Sequence, residues 1–169
     1  MVATTRTRPR SRQVEQLSLI LWRERELLDA LLYRLEVEQL VLASGRPRWV
    51  AHAAQDVEAV LVPLRETELM RAVAADEAAA SVGLDPDPPL RLLAERAQEP
   101  WREVLLEHRE AFLALAREIA EVADTNRGLL AAGYRAARKA LLTIGVTDGV
   151  PTRTAPGSSP RPDGGRAGG

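Results

Sequence analysis

The 169-residue chain has no cysteine. That excludes a disulfide scaffold, a thiol nucleophile, a zinc knuckle and an iron–sulfur site together. Aromatic residues are scarce, confined to Trp22, Trp49, Trp101, Tyr33, Tyr134 and Phe112. Sandwiches and barrels draw on many short strands rich in β-branched and aromatic residues, so a β architecture is disfavoured. No apolar stretch approaches 18 residues without a charge, so no membrane insertion is expected. The first twelve residues are polar and lack the apolar run of a secretory signal, which points to a cytoplasmic protein.

Catalytic and ligand-binding patterns are missing too. There is no His-Glu-x-x-His, P-loop, dinucleotide fingerprint or Gly-x-Ser-x-Gly. Only His52 and His108 are present, and Trp49 and Leu105 stand three residues before them. The Glu-x-x-His repeats of di-iron bundles are therefore lacking. His108 reads as a seam residue rather than a metal ligand. The many carboxylates alternate with arginines at helical spacing, as on solvated faces. No enzyme activity, cofactor or metal is expected.

What remains divides into a middle and two tails. Seven of the 11 glycines lie from Gly145 onward, and four of the 11 prolines fall between Pro151 and Pro162. Residues 1–12 carry a charge of +4 and residues 146–169 a charge of +1, which leaves −6 on 13–145. A domain of that sign repels phosphate backbones, so nucleic acid is not expected as a partner. Residues 1–12 read as a disordered basic arm, 13–145 as a helical domain, and 146–169 as a disordered Gly/Pro/Arg-rich tail.

Within 13–145 the apolar spacing predicts an all-α fold. It takes the form of an elongated antiparallel bundle of three long helices, with the second kinked and a short helix before the third. The first helix runs from about Gln13 to Ala43, with Val14, Leu21, Leu28, Leu35 and Leu42 at seven-residue intervals. Glu24 and Glu38 stand at the other seam position, so the pattern fits a bundle better than a two-stranded coiled coil. Ser44-Gly45 closes this helix. The second helix carries Val50, Ala54, Val57, Leu61, Leu64 and Met70 and continues to about Ser81, with a kink or break expected at Pro63. Residues 83–89 hold three prolines and stop it. A short helix over 90–98 precedes a third long one over 101–143.

One seam of that third helix reads Trp101, His108, Leu115, Val122, Leu129, Ala136, and the other Leu105, Phe112, Ile119, Asn126, Gly133, Ala140. Past Asn126 the seam residues become small, while Leu129, Leu130, Tyr134, Leu141, Leu142 and Ile144 remain as scattered large apolar groups. At 1.5 Å per residue this helix outruns the first by about 18 Å. Small seam residues and unmatched apolar groups fit a groove for a client helix. Tight packing or a homodimer contact fits them equally well. A polar amide at Asn126 either fixes helix register or contacts a bound partner.

The order of these features carries a resemblance. The segment Leu64-Arg65-Glu66-Thr67-Glu68-Leu69-Met70-Arg71 follows the leucine-rich first helix. A proline-broken connector and Trp101-Arg102-Glu103 through His108-Arg109 come next. Asn126-Arg127-Gly128-Leu129-Leu130-Ala131-Ala132-Gly133 closes the pattern. Over nearly all of 13–145 the chain resembles the FlgN family of flagellar export chaperones. Asp124 and Thr125 stand where family members often carry a second asparagine.

The resemblance implies a small helical cytoplasmic chaperone for the hook–filament junction proteins FlgK and FlgL, which it delivers to the type III export apparatus. Components of that apparatus are implied as further partners. It also implies a client contact on the C-terminal helix, which maps here to Asn126, Leu129, Leu130, Gly133, Tyr134, Ala137 and Leu141. The reading from another class is a structural coiled-coil or scaffold protein that self-associates through the same seam.

Overall fold

A computed structural model describes the backbone of residues 8–147 and the side chains of residues 12–144. The expectations for residues 1–7 and 148–169 lie outside the described residues. Among those described there is no strand. The elements are α1 (Arg8–Ala43), a single 3₁₀ turn (Pro47–Trp49), α2 (Val50–Val82), α3 (Leu90–Arg96) and α4 (Trp101–Thr147). The all-helical class is as the sequence predicts. α1 begins at Arg8 rather than Gln13, and α4 continues to Thr147 rather than Thr143.

The helix ends follow local chemistry. α1 closes where Ser44 N–H donates to Leu40 O and Gly45 N–H to Leu42 O. Gly45 takes the left-handed conformation there, at φ 66°. α2 closes at Gly83, φ 75°, with the Leu84 N–H reaching back to Ala79 O at 2.9 Å. A side chain at Gly83 meets open space, so Gly83→Ala is penalised by its backbone alone. That change is expected to lower stability by about 1 kcal/mol, measurable by urea unfolding.

Pro63 does not break α2, which is one helix from Val50 to Val82. The Pro63 carbonyl accepts an additional bond from the buried Thr67 hydroxyl at 2.8 Å. The aliphatic residues around it, Val60, Leu61 and Leu64, pack against α1. Tertiary packing thus holds the helix across the missing backbone donor.

The chain divides into two compact units, Met1–Gly133 and Tyr134–Gly169. In the first, α1 and α2 run antiparallel, as the ion pairs Glu24–Arg71 and Arg34–Asp56 require. α1 and the first part of α4 run in the same direction. Ser18 meets His108, and seventeen residues further along α1 the carbonyl of Leu35 meets Asn126.

Two apolar clusters fill the space between them. One joins Val14, Leu17 and Leu21 of α1 to Ala74, Ala78 and Ala79 of α2, with Leu93 and Ala94 of α3 and Leu105 of α4. The other joins Leu27, Leu31 and Leu35 to Leu64, with Ile119 and Val122 of α4 packed against it. Alanines supply much of the buried face of α2, which lets that helix approach its neighbours closely. In the second unit, the described residues 134–147 are helical and their described side chains, 134–144, are exposed.

Candidate functional site

The third-helix seam divides sharply at Leu129. Leu105, His108, Leu115 and Asn126 are buried, while Phe112, Ile119, Val122 and Leu129 are half-buried. From Leu130 onward every described side chain is exposed, through residue 144. Leu130, Tyr134 and Leu141 are respectively 43%, 72% and 70% exposed. Leu130 lies in the first unit; in the second, Tyr134, Ala137 and Leu141 stand at i, i+3 and i+7, which places those three on one stripe of the helix. A Cβ added at Gly133 would meet nothing within 4 Å. The stripe of the second unit is therefore apolar, narrow in side-chain bulk at Ala137, and open. Arg135, Arg138 and Lys139 lie among these residues, and no carboxylate occurs between Arg127 and Thr147.

Asn126 stands apart from the other candidate residues. It is 3% exposed, and its Nδ2 donates to Leu35 O and to Glu38 Oε2, both at 2.9 Å. The amide thus ties α4 to α1 inside the first unit, where it sets register. Leu129 flanks it half-buried. Of the candidate residues, Leu130 and Gly133 are exposed at the end of the first unit, Tyr134, Ala137 and Leu141 are exposed on the helix of the second, and Asn126 is buried within the first.

Two further buried polar groups sit along α1. Glu24 carries an ion pair to Arg71 at 2.9 Å with its side chain only 8% exposed. Burial raises its carboxyl above the ordinary value, Arg71 opposes that rise and Glu68 adds to it. His108 is 1% exposed, edge-on to Trp22 with ring centroids 5.0 Å apart, and within 3.4 Å of the Ser18 hydroxyl. Its Nδ1 is buried without a hydrogen-bond partner. This is a packed imidazole, as its seam position predicts.

Burial lowers the His108 pKa from 6.5, and Arg25 lowers it further, against Glu107. The unfolded chain therefore binds this proton more readily, so stability falls as pH drops below about 6.5 toward the folded-state value. Glu24 acts in the opposite sense. Its raised folded-state value favours the native state as pH falls toward 4.5. The melting temperature of His108→Leu is expected to fall less than that of the parent chain between pH 7.5 and 5.5. The comparison by thermal scans cancels the Glu24 contribution.

Sequence reasoning missed two features. A cleft of about 470 Å³ lies over Leu17 and Leu21, walled by Ala72 and Ala75 of α2 and by Phe112 and Leu113 of α4, with Glu24 and Arg71 in it. On α2, Leu69, Met70 and Val73 are exposed, although Met70 reads in the sequence as part of the packed face. Among the described residues no group of three acidic, histidine or cysteine side chains could hold a metal ion. No helix there is long and apolar enough to cross a membrane.

A family model described as FlgN protein matches residues 13–159. No curated protein and no solved structure gives a match.

Proposed function

The chain belongs to the FlgN family, which is associated with flagellar export chaperone function, and from that premise we propose that it captures the C-terminal helical regions of the junction proteins FlgK and FlgL. It does so in the cytoplasm, on a three-helix bundle, and delivers them to the type III export apparatus for flagellar assembly.

The observation that supports this reading is the open apolar stripe of α4. A soluble helix that exposes Tyr134, Ala137 and Leu141 on one face, with Leu130 exposed at the end of the first unit, has its apolar side free for a partner. An amphipathic client helix lays its own apolar face along that stripe. Gly133 and Ala137 let the two backbones come close. Burying the three large side chains contributes up to about 1.5–3 kcal/mol each before ordering costs. The client's aggregation-prone face is shielded by the same contact.

The test is co-purification of the full chain with the C-terminal segments of the host's own FlgK and FlgL, followed by size-exclusion with light scattering. A stoichiometric complex with either segment is the expected result. Passage of both segments without retention overturns the reading.

A further inference from the structure

The part of α4 in the second unit, residues 134–147, has two faces of opposite kind. Tyr134, Ala137 and Leu141 lie on one, with Ala140 at its edge, and all four are exposed. By the same spacing Arg135, Lys139 and Leu142 stand on the other side, and Arg138 at the boundary between the two. No carboxylate occurs in this stretch, so it carries a net charge of +3 against −9 for residues 13–133.

That separation of apolar and cationic faces selects a partner. A protein groove that takes the apolar face gains little from cations on the back of the helix. A nucleic acid that takes the cations leaves Tyr134 and Leu141 in water. An anionic bilayer uses both faces at once: the apolar one sinks below the headgroups while the cationic one stays above them. No helix among the described residues is long and apolar enough to cross a membrane, but lying in the interface requires segregated faces rather than a continuous apolar run.

We propose that the α4 end is an interfacial helix, which binds the surface of an anionic lipid bilayer through Tyr134, Ala137 and Leu141. Arg138 on the flank reaches lipid phosphates, and the long stems of Arg135 and Lys139 bring their charges within a Debye length, about 8 Å at physiological salt. The Tyr134 ring lies at headgroup level with its hydroxyl toward water. Residues 13–133 are repelled by the same surface, which confines the contact to this end.

Flotation of the full chain with lipid vesicles tests the contact. The chain is expected to float with vesicles of phosphatidylcholine mixed with phosphatidylglycerol, and not with phosphatidylcholine alone. Its partition coefficient falls between about 0.05 M and 0.5 M salt as the charges are screened. Arg135→Gln, Arg138→Gln and Lys139→Gln together lower it about 100-fold, or about fivefold for each cation.

Two neighbouring leucines discriminate further. Leu141 is 70% exposed on the apolar face, and Leu142 is 63% exposed on the cationic side. Leu141→Ser is expected to lower the partition coefficient at least about tenfold, whereas Leu142→Ser leaves it within about twofold. Both positions are exposed, so circular dichroism and melting without vesicles stay at parent values. Equal binding to the two kinds of vesicle, or equal losses from the two leucine variants, overturns the proposal. Binding to neither also overturns it, and duplex DNA retained in that case assigns the cations to nucleic acid.

The bilayer and a client helix use the same residues, so each excludes the other. That exclusion rests on the chaperone reading above, whereas the lipid contact does not. Adding the C-terminal segment of FlgK is expected to release the chain from the vesicles. A segment that binds the chain on the vesicle refutes the exclusion. A chain that meets every lipid test while the segment fails to bind refutes the chaperone reading and leaves the lipid contact standing.

Discussion

Tyr134→Asp and Leu130→Asp are expected to weaken capture of a FlgK or FlgL helix at least about 100-fold, equivalent to roughly 3 kcal/mol. Each places a carboxylate where an apolar face has to seat, and desolvating it without a partner is costly. The chain's own fold gives up little, because Tyr134 is 72% exposed and Leu130 43% exposed. Titration calorimetry with the client segment reads the affinity, and far-UV circular dichroism with thermal melting reads the fold. Loss of helical content in either variant would place that residue in the folded core instead. Unchanged affinity in both would remove the stripe from the client site.

The second large effect concerns stability. Asn126→Asp is expected to destabilise the first unit by about 3–5 kcal/mol. The Asn126 amide gives two hydrogen bonds at 2.9 Å, one to a backbone carbonyl and one to the Glu38 carboxylate, at a site only 3% exposed. Aspartate cannot donate either bond, and it sets a second carboxylate against Glu38 out of water. Glu38→Gln added to it restores a donor facing the new carboxylate, so the double variant recovers much of the loss. Denaturant midpoints of the four chains close a double-mutant cycle. Additive losses would show that Asn126 and Glu38 act independently and would refute the register role.

How much of this was legible in the sequence varies by helix. α1 was read correctly as a leucine-rich seam, and the two glutamates at its other seam position are indeed buried. Even so, Leu28 and Leu42 are only half-buried, while Leu27 and Leu31 take the core. A helix of 3.6 residues per turn drifts about 20° per heptad against a strict seven-residue repeat, and the stripe moves with it.

α2 was less readable. Its buried positions include Ala53, Thr67, Ala74, Ala78 and Ala79, whereas Ala54 and Met70, assigned to the packed face, are exposed. Alanine marks a face weakly in any hydropathy pattern, yet close helix approach selects it. The same ambiguity hid the Leu69–Val73 stripe.

On α4 the shrinking seam past Asn126 correctly flagged the change in character, because a run of small residues cannot fill a core. The partners of Asn126 were beyond reach. They depend on the relative stagger of α1 and α4, which no single helix encodes.

Hydrogen exchange of the full chain, with and without the C-terminal FlgK segment, tests the central claim most directly. The account predicts that amides of residues 130–142 exchange fast in the free chain relative to those around Leu105 and Leu115, and gain protection when the segment binds. Protection appearing in α1 and α2 instead, with residues 130–142 unchanged, would contradict it.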